Sequence, residues 1–191
     1  MREFSLKRLF DLTLALALGL ALLVPALLVA LAVKLTSKGA ILYWSDRVGR
    51  DNCIFKMPKF RSMQTNASVV ATHLLADPKT HLTVIGSFLR KSSLDELPQL
   101  WSIIKGDMSF VGPRPALFNQ YDLIQERTNY GVHQLVPGLT GWAQVNGRDE
   151  LSTVQKVKFD VEYLQRHSFW FDLKIFWLTF VKVLSRQGIT H

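Results

Sequence analysis

The chain has 191 residues, is 48% hydrophobic and carries five Trp and twelve Phe, which supplies one packed domain and excludes a disordered tail or a low-complexity linker. Lys and Arg number 23 against 15 Asp and Glu, a balance that favours anionic partners such as nucleic acid, lipid phosphate or nucleotide phosphate. Cys53 is the only cysteine, so no disulfide can form within the chain, and the five histidines lie too far apart for a zinc site.

The first predicted element is apolar. Residues 12–33 contain no charged side chain and are mostly Leu, Ala and Val. As one helix they would be roughly 33 Å long, enough to cross a bilayer. A cleaved signal peptide fits poorly. The run is long for one, and Lys34-Leu35-Thr36-Ser37-Lys38 follows it where small residues would be needed. Two readings stay open on these residues: a proline-kinked spanning helix, or a re-entrant hairpin that enters and leaves by one face. Pro25 removes a backbone donor and crowds the preceding turn, so a break is expected there. Arg2, Lys7 and Arg8 precede the run and Lys34 and Lys38 follow it, so the positive-inside rule gives no direction of crossing.

Ile41 to Trp44 and Cys53 to Phe55 read as short strands around a Gly49-Arg50-Asp51-Asn52 turn. Residues 64–82 read as loop. A helical segment is expected near Ile85 to Arg90, and another from Ser93 to Lys105, stopped by Gly106-Asp107. Gly112-Pro113-Arg114-Pro115 is a stiff turn, and residues 116–129 are predicted helical. Loop and short strand cover residues 137–147, and a helix spans 151–166. A last helix spans 169–186. Phe169, Trp170, Leu173, Phe176, Trp177, Phe180, Val181 and Leu184 share one side of it, and Asp172, Thr179, Lys182 and Arg186 share the other. That pattern suits either a core helix or a helix lying in a membrane interface with its apolar side down. Given the apolar N-terminus, the interface is preferred.

The densest chemistry lies in Ser93-Leu94-Asp95-Glu96-Leu97-Pro98-Gln99-Leu100. Ser93 and Glu96 have capping-box spacing, so Glu96 could simply close a helix N-terminus. Pro98 is tolerated only in a first turn, which places both carboxylates at the helix start, where Asp95 is expected to stay ionised. An ionised Asp can hold a divalent metal or attack phosphorus. Basic residues surround the pair in sequence: Lys59 and Arg61, then Arg90, then Arg114 between two prolines, then Arg148. Arginine forks match phosphate oxygens, and such a set suits a pyrophosphate substrate with Mg²⁺ to neutralise more of its charge. No Walker loop, GxGxxG or nucleic-acid motif is present, and no nucleic-acid partner is expected.

In this order the motifs resemble the bacterial sugar transferases, the monotopic polyprenyl-phosphate phosphoglycosyl transferases. They are Lys7-Arg8-Leu9-Phe10-Asp11, the proline-interrupted apolar run, Lys59-Phe60-Arg61-Ser62-Met63, the Ser93 to Leu100 segment, Gly106-Asp107-Met108-Ser109, Val111-Gly112-Pro113-Arg114-Pro115, and residues 137–148 from Pro137 through Trp142 to Arg148. The length resembles the minimal catalytic unit of that family. The resemblance implies an α+β, mostly helical monotopic protein. Residues 1–36 would form a re-entrant hairpin broken at Pro25. Residues 37–191 would form a catalytic domain with short strands on the cytoplasmic face of the bacterial inner membrane, with interfacial helix 169–186. Val24 stands where the family often has Ser before the proline, and Ser102 where Asn is more usual.

The same resemblance implies the activity. Asp95 would attack the sugar-bearing phosphorus of a UDP-sugar, expel UMP and pass the sugar-1-phosphate to polyprenyl (undecaprenyl) phosphate. Asp95 would also bind Mg²⁺. Glu96 would orient the acceptor, help to hold the metal or cap the helix. Lys59, Arg61, Arg90, Arg114 and Arg148 would contact phosphate and nucleotide. A non-catalytic membrane-surface scaffold that binds anionic lipid is the alternative.

Overall fold

A computed structural model describes residues 2–64, 81–147 and 151–185. Most of the expected loop at 64–82 lies outside these residues, as does Arg148.

The apolar run forms two helices, α1 (Arg2–Ala21) and α2 (Leu23–Thr36), bent by 62° between them. Among the described residues no single helix is long and apolar enough to cross a membrane; only this bent pair passes together. The break falls at Leu22 (φ −97°, ψ 8°), three residues before Pro25. The reason is steric. A proline ring in a helix collides with the carbonyl four residues back, here that of Ala21, so the ladder yields on the N-terminal side. Pro25 itself sits in the first turn of α2, where its missing N–H is no loss.

The elbow is bolted to the rest of the chain by its polar N-terminal turns. Arg8 donates to the carbonyls of Ile103 and Ile104 (2.5 and 2.7 Å) at the C-terminal end of α4 (Gln99–Lys105). Lys7 bridges the Val111 carbonyl (2.9 Å) and Asp172 (2.5 Å), and Asp11 accepts from the Phe110 N–H. Lys7 and Arg8, the basic residues that precede the apolar run, are therefore turned into the protein. Ala15 joins the main core with Met57, Ile103, Phe110, Tyr163 and Ile175, and Val29 and Val33 pack on Phe60 and Leu89. The other side of the elbow stays bare: Leu20 is 77% exposed, and Leu16, Leu23, Val24, Leu27, Leu28 and Leu31 are also exposed.

β1 (Leu42–Val48) and β2 (Ile54–Phe60) form the expected antiparallel hairpin, longer than the sequence suggests. Asp51 and Asn52 take positive φ in its turn, which short polar side chains tolerate. α3 (Gly86–Ser92) leads into a tight 3₁₀ turn at Leu94–Glu96 and then α4. β3 (Ser109–Val111) pairs in parallel with β4 (Gly138–Thr140). Here the backbones nearly touch. A Cβ on Gly138 would lie 2.1 Å from the Gly112 nitrogen, and one on Gly141 would lie 2.1 Å from the Gly112 carbonyl. These glycines allow close approach rather than a turn. α5 (Tyr121–Asn129) starts five residues later than the sequence suggests, because Leu117 donates its N–H to the Gln120 side chain and bridges to Arg47. α6 (Trp142–Val145) replaces part of the expected loop. α7 (Thr153–Arg166) opens with a Ser152–Gln155 capping box, and α8 (Phe169–Ser185) closes the described chain.

α8 divides the apolar stripe seen in the sequence: Phe169 and Phe176 pack on Phe10, and Phe176 also on Phe110. Trp170, Trp177, Phe180 and Val181 are exposed, at 78% for Trp170, while Phe171 and Ile175 enter the core. The side marked polar faces inward. Asp172 pairs with Lys7 and accepts from Tyr163 (2.6 Å), and Thr179 meets Thr140 at 2.8 Å. The helix is thus held by Phe171, Ile175 and Phe176 together with satisfied polar contacts, and Trp170, Trp177 and Phe180 stay outward.

Candidate active site

Asp95 and Glu96 lie in the 3₁₀ turn between α3 and α4. The turn is not a capping box. Ser93 takes a left-handed conformation (φ 55°) and its side chain makes no cap bond. Glu96 turns inward instead and accepts from Lys59 of β2 and from Arg114, both at 2.8 Å. Two charge-assisted bonds from partly buried cations outcompete one backbone N–H. Burial alone would raise the Glu96 carboxyl, but Lys59 and Arg114 hold it well below the usual carboxylate range.

Asp95 differs from its neighbour. It is 6% exposed and, among the described residues, makes no side-chain hydrogen bond. Burial pushes its carboxyl up, while Lys59, Arg90 and Arg114 pull it down. Burial is the larger influence and was not part of the helix-start argument from sequence. Among the described residues, then, the site holds one carboxylate hydrogen-bonded between cations and one that is desolvated and makes no hydrogen bond.

The other expected residues divide. Arg90 acts on Asp95 through its charge and approaches the Met63 sulfur at 3.6 Å. Arg61 is placed elsewhere. It is buried and donates to the backbone carbonyls of Ser37 and Lys38 and to the Ser37 hydroxyl, closing the end of α2. Arg148 lies outside the described residues. Two further cations were not singled out from sequence. Arg47, lowered to about 10 by burial and by Arg114, donates to the Pro115 carbonyl at 3.2 Å, and Arg127 donates to that of Arg114 at 2.8 Å. A signal existed for Arg127: Asp160, its partner, sits on the inward stripe of α7 with Val157 and Val161, where a charge demands a counter-charge.

Glu96 and Arg114 face an open cleft of about 1200 Å³. Leu18 and Leu22 at the elbow, Phe176 and Val183 of α8, and Lys91 also line it. Its lining is mostly apolar and carries the charges of Lys91, Glu96, Arg114 and Lys182; Asp95, Lys59 and Arg90 do not line it. Among the described residues no group of three His, Cys, Asp or Glu could hold a metal ion.

Residues 2–186 match the bacterial sugar transferase family. The chain belongs to that family. Among its relatives, this sugar transferase is 45% identical over 187 residues to the UDP-glucose:undecaprenyl-phosphate glucose-1-phosphate transferase of Escherichia coli (strain K12), covering 93% of this chain and 40% of the relative. It is 40% identical to the UDP-galactose-lipid carrier transferase of Erwinia amylovora, covering 96% of this chain and 41% of the relative. The chain thus spans about two fifths of the length of these two relatives. It spans 90% of the uncharacterized sugar transferase EpsL of Bacillus subtilis (strain 168), at 42% identity over 96% of this chain.

Proposed function

We propose that this sugar transferase moves a sugar-1-phosphate from a UDP-sugar to undecaprenyl phosphate, releasing UMP, at the cytoplasmic face of a bacterial inner membrane. One observation carries the reading: a desolvated Asp95 with no hydrogen bond among the described residues, next to a Glu96 that is held between Lys59 and Arg114 and lines a cleft with Leu18 and Leu22 of the elbow. The names of the relatives supply donor and acceptor classes.

In the proposed reaction an Asp95 carboxylate oxygen attacks the sugar-bearing phosphorus. The bond to the bridging pyrophosphate oxygen breaks and UMP leaves. An oxygen of the lipid phosphate then attacks the same phosphorus, and the Asp95 carboxylate departs unchanged. Desolvation makes Asp95 a better nucleophile, and Arg114 and Arg90 offset repulsion between it and the phosphates. Glu96 fixes the Lys59 and Arg114 cations where the phosphates would lie. Magnesium fits this donor set as an ion held by one carboxylate and by substrate phosphates, since Asp95 is the carboxylate that makes no hydrogen bond among the described residues. Bound there it would neutralise charge on the pyrophosphate.

The membrane reading rests on shape. An elbow bent by 62°, with legs equally inclined, carries its bend only about 11 Å below the end of its 14-residue leg, less than half of a bilayer core. That depth suits one leaflet, with both ends on one side. The outward Trp170, Trp177 and Phe180 of α8 would lie at headgroup level.

The test is UMP release by detergent-purified protein with Mg²⁺, undecaprenyl phosphate and a panel of UDP-glucose, UDP-galactose and UDP-N-acetylated sugars. Release should need one donor, the lipid and Asp95, with ping-pong kinetics. Near-normal turnover by Asp95→Asn would end the covalent scheme.

A further inference from the structure

Arg114 is held at both ends. Its guanidinium donates to Glu96, and its backbone carbonyl accepts from Arg127 Nη1, each at 2.8 Å. Arg127 in turn donates through Nε and Nη2 to one oxygen of Asp160, at 2.9 and 2.7 Å. The Asp160 side chain is 2% exposed and that of Arg127 11%. This ion pair lines no part of the cleft beside Glu96.

Its burial calls for a reason. Taking two charges out of water offsets most of their attraction, and apolar side chains of similar volume hold helices together as well. α5 and α7 already share an apolar cluster of Ala116, Leu123 and Val157. What apolar contact cannot supply is a directional hydrogen bond to one carbonyl. Proline on each side narrows the backbone at 113–115 to extended conformations, and a hydrogen bond to the Arg114 carbonyl holds it at one orientation within that range. Arg127 supplies that bond, and its two bonds to Asp160 fix the plane of Arg127.

We infer that the Asp160–Arg127 pair is a positioning device for phosphate transfer: it fixes the Arg114 carbonyl and so aims the Arg114 guanidinium at Glu96 and the substrate phosphate. This rests on the function proposed above. Neither residue touches the cleft, so both are positioning residues rather than catalytic ones. A small displacement of a positioned group is costly, so loss of aim should exceed loss of fold.

The experiment uses the full chain in detergent and the sugar nucleotide that the parent turns over. kcat and KM are measured for Asp160→Asn, Arg127→Gln, Arg114→Ala and the control Val157→Ala, with melting temperatures alongside. Val157 lies on the same helix in the apolar cluster and makes no bond to Arg114. Well below every melting transition, Asp160→Asn and Arg127→Gln should lose roughly ten- to a hundredfold in kcat. Val157→Ala should keep the parent kcat even where its melting temperature falls as far. If either single variant fails to fold, the double variant Asp160→Asn/Arg127→Gln leaves no unpaired buried charge and takes its place. Parent-like kcat in these variants, or losses that track melting temperature equally in Val157→Ala, overturns the inference. If Arg114→Ala itself turns over at the parent rate, the assignment of Arg114 to the site falls first. If only Arg114→Ala is impaired, the positioning device alone falls.

Discussion

Two adjacent acids in one turn meet opposite environments. Glu96 is held ionised between Lys59 and Arg114, and Asp95 is pushed up by burial. A carboxyl whose pKa is higher folded than unfolded costs stability once the pH is high enough to ionise it. At neutral pH the Asp95 charge therefore strains the fold, and Asp95→Asn should raise the melting temperature by roughly 2–4 °C while abolishing turnover. A melt and an activity assay on the same preparation check this, and a lower melting temperature would show that Asp95 is stabilised in place. Lys59 is the largest influence pulling Asp95 down. Lys59→Met should move the acid limb of the kcat/KM profile to higher pH, because the nucleophile must then be ionised without the cation that lowers it most. An unmoved limb would mean that Asp95 is not the group titrating there. The identities of these residues were legible in the sequence, but their partners were not. Ser93 and Glu96 spaced as a capping box are equally well spaced to leave Glu96 free, and only the β1–β2 hairpin, which carries Lys59 across 37 positions, decides between them.

At the scale of elements, local patterns carried well where local chemistry is sufficient. The hairpin turn at Gly49–Asn52, the left-handed Gly106 after α4 and the helix at α7 were all readable. They failed where a distant backbone intrudes. The Pro25 break moves to Leu22 because the clash lies with the Ala21 carbonyl, and α5 is delayed because Arg47 and Gln120 claim the backbone at residues 115–117. The glycines at 112, 138 and 141 read as punctuation, yet they let β3, β4 and the start of α6 touch backbone to backbone. Gly141 has extended φ, so any residue could adopt its conformation, and the cost of a side chain there is purely steric. Gly141→Ala should destabilise by about 1–3 kcal/mol, since the Gly112 carbonyl it would strike is backbone and cannot rotate away. Denaturant unfolding measures that. Turnover should fall with it, because the displaced strand leads directly into Arg114. Full stability in the alanine variant would mean that β3 and β4 are less closely apposed.

For the whole molecule the proposed membrane attachment raises the question of which forces would supply it. The basic flank suggests electrostatics, but Lys7 and Arg8 spend their charge inside, on Asp172 and on the carbonyls that end α4. The outward surface of the elbow and of α8 is apolar instead. Binding to vesicles should therefore persist when salt is raised to about 0.5 M, where surface charges are screened beyond a few ångströms. It should respond to apolar area. Trp177 is 64% exposed and Phe180 51% exposed, with ring centroids 5.9 Å apart, so they form one patch. Burying a side chain of this size contributes on the order of 2 kcal/mol, so replacing both with Glu should weaken partitioning by roughly a hundredfold or more. The elbow still anchors such a variant in part. Flotation with phosphatidylethanolamine–phosphatidylglycerol vesicles at low and high salt reads both effects. Release of the parent by salt alone would return the anchoring to charge, and a double variant that floats like the parent would take α8 out of the interface. If instead α8 lies at headgroup level, the cleft between it and the elbow opens along the bilayer surface. A lipid phosphate could then reach Arg114 without its chain leaving the hydrocarbon, as transfer to the proposed undecaprenyl phosphate acceptor would require.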